Sequence, residues 1–430
     1  MNAPAAYAAT DPAVDAAYRK VGWRLLPFLM LCYFVAYLDR VNVGFAQLQM
    51  KSQLQFSDAV YGLGAGIFFL GYFLFEVPSN LLLHRVGARV WIARIMISWG
   101  VISALTMFIR TPQMFYAARF LLGLAEAGFF PGIILYLTYW YPARRRSQMT
   151  AWFMSAVALS GLVGGPVSGD ILHAVHGRSG RAGWQWLFLL EGVPAVLLGL
   201  VTLGYLDDGI AAAKWLTPVE KALLQRGVDG ENASKQHVSA LQGLRSPRVW
   251  LFALVYFSVV MGLYGLGFWL PLLLRSTGVS DPRTIGWLVA IPYGVSIVAM
   301  VLVGRSSDAR GERRWHVALP ALVGAAGLAL STLWAHDTAA AVVTLTVATC
   351  GIMTVLPLFW SLPTTFLAGS AAAAGIALIN SLGNLAGFFG PSIVGWVKQA
   401  THSTNGGVLV LAGFMVLCAV LVLSLPAQES

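Results

Sequence analysis

The chain reads as long apolar runs separated by short polar stretches. Runs of about 20 residues, enough to cross a hydrocarbon core of about 30 Å, fall near 24–48, 58–83, 89–109, 113–139, 150–174 and 185–206. A polar stretch from Asp207 to Ser246 follows, and the pattern resumes near 248–274, 284–304, 315–335, 339–367, 373–398 and 406–426. The pattern predicts an all-α polytopic membrane protein of twelve transmembrane helices in two pseudo-symmetric six-helix bundles. Its divisions are a cytosolic lead-in (1–23), an N-terminal bundle (24–206), a cytosolic linker (207–246), a C-terminal bundle (247–426) and a cytosolic tail (427–430). Within the lead-in, Asp11 and Pro12 read as N-cap and first position of a short separate helix reaching Arg19 and Lys20. Within the linker, Thr217, Pro218 and Glu220 read as a capping box, and GVDGENASKQH beyond them, lacking apolar periodicity, is expected to be mobile.

Composition changes what the basic charge means. The chain is 58% apolar and only 11% charged, against about 25% charged in soluble domains. A net charge of +10 would suggest a polyanion partner in a soluble protein, but here the basic residues crowd into short loops. With the N-terminus inside, 19 Lys and Arg fall on the cytosolic side and seven outside, which places both termini in the cytoplasm of, most simply, a bacterial inner membrane. The lipid bilayer is therefore a partner, and nucleic acid is not. Nothing resembles a cleavable signal peptide, so the N-terminus is expected to stay. Cys32, Cys350 and Cys418 sit in apolar runs without metal-ligand spacing, so neither metal nor cofactor is expected. No nucleophile and base set or nucleotide loop points to an enzyme.

The two halves carry matching landmarks. Gly304, Asp308, Gly311 and Arg313 form G-x-x-x-D-x-x-G-x-R after the eighth run, and Arg85, Gly87 and Arg89 occupy the corresponding place after the second. Gly311 follows Gly87 by 224 positions, and Pro391 in FGPSIVG follows Pro166 in GGPVSG by 225. Two landmarks with nearly one shift predict a parallel duplication.

Against that repeat, the charges are lopsided. Arg119 and Glu126 lie in the fourth run, seven residues and about 10.5 Å apart on one helix face. A charge at bilayer depth costs at least about 2.5 kcal/mol, so it faces a protein interior or a watery path and has a partner. Asp39 and Arg40 form a second such pair in the first run. Shifted by 224, Asp39 falls on Leu263, Arg40 on Tyr264, and Glu126 on Cys350 or Gly351. The second half instead offers neutral groups: Tyr264, Tyr293, Ser361, Thr364, Thr365, Asn380 and Asn384.

The glycine loops and paired halves resemble the major facilitator superfamily. Within it, YLDRVNVGFA (37–46), RFLLGLAEAGFFPG, GWQWLFLLEG (183–192) and KWLTPVEK (214–221) are similar to the anion:cation symporter family, whose members import tartrate, phthalate, hydroxyphenylacetate and sugar acids with protons. The resemblance implies proton coupling at Asp39 and Glu126. It implies anion recognition at Arg40 and Arg119, and substrate contacts from Tyr72 and from Asn380 or Asn384. The loop set Arg85, Gly87, Arg89, Gly304, Asp308, Gly311 and Arg313 would gate. Two departures stand out. His84 replaces the usual loop acid, which is expected to weaken that latch, and Glu76 stands where sugar-acid relatives carry an uncharged amide.

Several positions keep two readings. Adjacent helical residues diverge by about 100°, so Asp39 and Arg40 need separate partners; the economical arrangement sets Asp39 toward Arg119 and leaves Glu126 and Arg40 nearer the substrate. Glu76 handles substrate or proton, or makes an inner-gate hydrogen bond. Glu191, flanked by Trp184 and Trp186, is expected to anchor an outer interface. Arg144, Arg145 and Arg146 are explained by topology. Gly161, Gly165, Pro166 and Gly169 form a pattern similar to drug:proton antiporters, or simply permit close packing. Tyr33, Tyr37, Tyr72, Tyr264, Trp269 and Trp360 line a cavity or pack. The expected function is proton-coupled import of a small organic anion, a hydroxy-diacid or an aromatic acid; proton-driven export of amphiphiles is the alternative.

Overall fold

The computed structural model describes residues 12–234, 246–334, 336–366 and 369–425. The expected cap at Asp11, the segment 235–245, the 427–430 tail, and the side chains of Arg144, Thr364 and Thr365 lie outside the described residues. The first half comprises α1 (Pro12–Val41), α2 (Val43–Gln53), α3 (Asp58–Val86), α4 (Ala88–Leu105), α5 (Pro112–Glu126), α6 (Phe129–Thr138), α7 (Ala143–Met154), α8 (Ala156–Ala174) and α9 (Gly183–Tyr205). The linker helix α10 (Pro218–Ser234) leads to α11 (Pro247–Ser276), α12 (Pro282–Arg310), α13 (Arg314–Ser331), α14 (Thr338–Phe366), α15 (Gly369–Thr401) and α16 (Asn405–Leu423). Among the described residues ten helical stretches are long and apolar enough to span a bilayer. With α13 and α15 they form the twelve-helix architecture, in which α1–α2, α5–α6 and α7–α8 are each one span broken in the middle.

Helix starts follow from local chemistry. Ser57 and Thr111 accept from the backbone N–H of Val60 and Met114 at 3.2 and 3.3 Å, and Pro112 sits at the first helical position, satisfying donors that a helix N-terminus leaves over. In the linker, Thr217 and Glu220 bond each other's backbone reciprocally at 2.8 and 3.2 Å. Two expectations need correction. The lead-in is not a separate helix, because α1 runs unbroken from Pro12 to Val41. The stretch 227–234 is helical: α10 continues through it, seated at Gly227 against the Tyr18 hydroxyl and tied at its start by the Lys20 to Glu220 ion pair at 2.9 Å.

The duplication is visible in how the bundles meet. Span two of each half packs on span five of the other: α3 on α15, and α12 on α8. At both seams backbones approach closely. A Cβ on Gly286 would stand 2.3 Å from the Gly165 carbonyl, and one on Gly62 would stand 2.7 Å from the Pro391 carbonyl. Gly286 is Gly62 plus 224, and Pro391 is Pro166 plus 225, so the repeat generates both contacts. The fifth-span glycines thus serve close helix contact between bundles.

Candidate functional site

The first and seventh spans cross between the bundles, which brings Arg40 opposite Tyr264, its own repeat mate. Arg40 Nη1 donates to Tyr264 Oη at 2.8 Å. Its Nε donates to Glu126 Oε1 at 3.1 Å, and Nη2 closes an ion pair with the same oxygen. The guanidinium lies over Phe68 and Tyr72, 5.4 and 5.3 Å from their ring centres. Arg40 and Glu126 are 5% and 0% exposed. Both helices break just past them: α1 ends before Asn42, and the fourth span turns at Gly128, whose φ is +85°. Irregular backbone at membrane depth is tolerated where it is buried in protein or lines a cavity.

Among the described residues no hydrogen bond or ion pair joins Asp39 to Arg119. Asp39 accepts from Ser103 Oγ at 2.8 Å, Trp99 Nε1 at 3.0 Å and Asn42 Nδ2 at 3.3 Å. Trp99 and Ser103 lie one turn apart on α4, so one face of that helix provides the cradle. Arg119 donates to the carbonyls of Arg40 and Ala65, each at 3.4 Å, over the Phe68 ring. Its Nε and Nη1, and Glu126 Oε2, meet no protein partner among the described residues.

A second link joins the bundles at Glu76, which is 5% exposed. Asn380 Nδ2 donates to its Oε1 at 2.9 Å, and Ser381 Oγ approaches Oε2 at 3.4 Å. Asn384 stands one turn along α15, half-buried. Trp360 packs on Tyr256, ring centres 4.9 Å apart, and Ser361 donates to the Leu358 carbonyl of its own helix. Tyr33 stacks on Phe153 at 4.5 Å and Trp269 meets Tyr61 edge-on, so those two aromatics pack. Glu191 is another correction. It is 2% exposed and bonded to Ser168 at 2.7 Å, while Trp184 is 1% exposed and donates to Gln53; neither forms an interfacial belt.

The loops differ from expectation in one respect. Asp308 pairs with Arg313 at 2.6 Å. In the first half the acid missing at His84 is supplied from beyond the sixth span: Asp208 accepts from the Arg89 backbone N–H at 2.9 Å. Gly87 and Gly311 both end their helices with positive φ, +101° and +65°, and Arg85 is exposed.

On the face opposite the termini, ion pairs cross both seams, Lys398 to Asp58 at 3.0 Å and Arg283 to Asp170 at 2.8 Å, and His173 Nδ1 hydrogen-bonds with Asp281 Oδ1 at 2.9 Å. Hydrogen bonds from Thr284, with His173 adding to them, hold the Asp281 carboxyl down to about 2, so it stays ionised at physiological pH. A cleft of about 750 Å³ lies on this face, lined by Gln49, His176, Arg181 and Arg275 among others, away from the central charges.

A two-bundle helical membrane protein with a buried charge site between its halves has the architecture of a secondary transporter. Residues 29–391 match the Major Facilitator Superfamily, and the chain belongs to it. A protein of Agrobacterium vitis named for tartrate transport is 52% identical over 96% of this chain and 95% of its own. A quinolone resistance transporter of Acinetobacter baumannii is 41% identical over 93% and 92%. A bacterial homologue of the human lysosomal transporter Spinster, solved inward-facing and occupied, superposes with a TM-score of 0.75 at 16% identity, covering 94% of this chain and 96% of that one. The chain is a membrane transporter.

Proposed function

We propose that the protein imports a small organic carboxylate, of the tartrate-like hydroxy-diacid or aromatic acid kind, together with protons, by alternating access. The observation that carries this is the Arg40–Glu126 pair, with Tyr264 of the other bundle on the same guanidinium. Removing one partner of a buried pair costs about 3–5 kcal/mol, so Glu126 and a substrate carboxylate compete for Arg40. A proton on Glu126 makes it a poor partner and frees the guanidinium fork for a bidentate carboxylate. Tyr264, Glu76 and Asn380 then make closure depend on what sits between the bundles. With the termini cytoplasmic, the face closed by the Lys398–Asp58 and Arg283–Asp170 pairs is the outer one. The tartrate-named relative supports the substrate class.

In reconstituted vesicles, an inward proton gradient is expected to drive uptake of one acid from a counterflow panel of tartrate, phthalate, hydroxyphenylacetate and galactonate. Outward-directed transport of an amphiphilic cation with no carboxylate counterflow would contradict the proposal. That outcome is the second reading, proton-driven export, favoured by the quinolone resistance relative; two arginines at the centre of the site oppose it.

A further inference from the structure

One buried carboxylate has no part in that exchange. Glu191 lies on α9, eight residues and about 12 Å from the helix start on the sealed face. Ser168 of α8 donates to its Oε1, while Oε2 has no hydrogen-bond partner among the described residues. The neighbouring Gly192 packs on α4, where a Cβ would stand 2.8 Å from the Gly100 carbonyl and 3.2 Å from Ser103 Cβ. Ser103 is the residue that donates to Asp39. Asn42 makes the second link, its amide donating to Asp39 and also facing Glu191. Its Oδ1, fully buried, is another acceptor that no donor reaches among the described residues.

Among the described residues no cation faces Glu191 from the surrounding elements. On α1, Arg40 is committed to Glu126 and Asp39 is a like charge. Lys51 of α2 is engaged by Asp58. On α8, Asp170 and His173 turn outward to Arg283 and Asp281. On α4, Arg89 lies at Asp208 and Arg94 over Trp91. An ionised Glu191 would therefore place an unpaired charge in the protein interior beside orphaned acceptors, a costly arrangement. One proton resolves it, because a carboxylic acid supplies the O–H donor that acceptors of this kind lack.

We infer that Glu191 is a second proton-holding site of the N-terminal bundle, which shares one proton with Asp39, with Asn42 bridging the two carboxyls and setting their coupling without carrying the proton itself. The proton leaves one carboxyl O–H and joins the other carboxylate, so the pair keeps one proton and one negative charge. Lying between the sealed face and Asp39, Glu191 stands on the route by which a proton from that side reaches the central site. The inference rests on the proton-coupled reading above.

Infrared titration of the purified full-length protein in lipid, over about pH 5 to 8, tests it without knowledge of the substrate. Two coupled carboxyl bands are expected in the wild type. E191Q should remove one and shift the Asp39 band, identified by its loss in D39N, by about one pH unit toward acid, as loss of a neighbouring negative charge requires. N42A should also shift that band, and serves if E191Q does not fold. A Glu191 band that does not titrate, with the Asp39 band unmoved in E191Q and N42A, overturns this inference alone. Absence of proton-driven uptake in vesicles contradicts the transport reading instead.

Discussion

In the N-terminal bundle the first and fourth spans break at Asn42 and Gly128, each two residues after a buried Arg40 or Glu126. In the C-terminal bundle the equivalent helices α11 and α14 run unbroken past Tyr264 and Cys350. Where one half holds Glu126, the other holds Gly351, whose Cβ would stand 2.4 Å from the backbone of Gly324. The same backbone plan thus serves charge chemistry on one side and close packing on the other. The halves meet where the repeat brings like positions together: Arg40 and Tyr264 differ by 224, as do Gly44 and Phe268, where a Cβ on the glycine would lie 3.1 Å from the carbonyl. A duplicated fold can concentrate its ionisable groups in one copy and let the other report on them through neutral hydrogen bonds.

The sharpest way to break this comparison is at Arg40. Arg40→Lys keeps the charge and loses the fork, and should lower kcat/KM about 100-fold, the scale of a lost charge-assisted bond; wild-type uptake would make the arginine structural. Next is the neutral side. Asn380→Ala leaves Glu76 with only the long Ser381 contact, and should cost about tenfold in uptake, from the 1–3 kcal/mol of an unsatisfied buried group. A larger loss than at Arg40 would move the chemistry to the C-terminal bundle. At the seam, Gly286→Ala should destabilise the sealed conformation by about 1–3 kcal/mol, read as faster thiol labelling of a cysteine placed at Val289, which is buried against Gly165. Smallest is Lys398→Ala, whose partly exposed pair is worth about 1 kcal/mol or less, so uptake should fall only a few-fold and the difference should vanish in high salt.

Much of the fold was legible because hydropathy runs and bilayer thickness constrain helices one at a time. The repeat was legible because Gly87 and Gly311, or Pro166 and Pro391, mark backbone features that few residues tolerate. The four central charges were legible from the cost of placing them there. Their pairing was not: it depends on how α1, α4 and α5 are rotated against one another, and the breaks at Asn42 and Gly128 reset that rotation. Trp99 and Ser103, the true partners of Asp39, read as ordinary residues of an apolar run, although Asn42, three positions after Asp39, was a visible hint. Asp208 was hidden because it reaches its loop from 119 positions away, and the burial of Glu191 was masked by tryptophans that read as an interface.

The central claim is that a substrate carboxylate takes Arg40 from Glu126 as Glu126 takes a proton. Calorimetric binding of the transported acid to purified protein, repeated at one pH in buffers of different ionisation enthalpy, counts protons taken up on binding. The account predicts net uptake of about one proton in the wild type and none in E126Q, which still binds. Equal proton uptake in both, or none in the wild type, would contradict it.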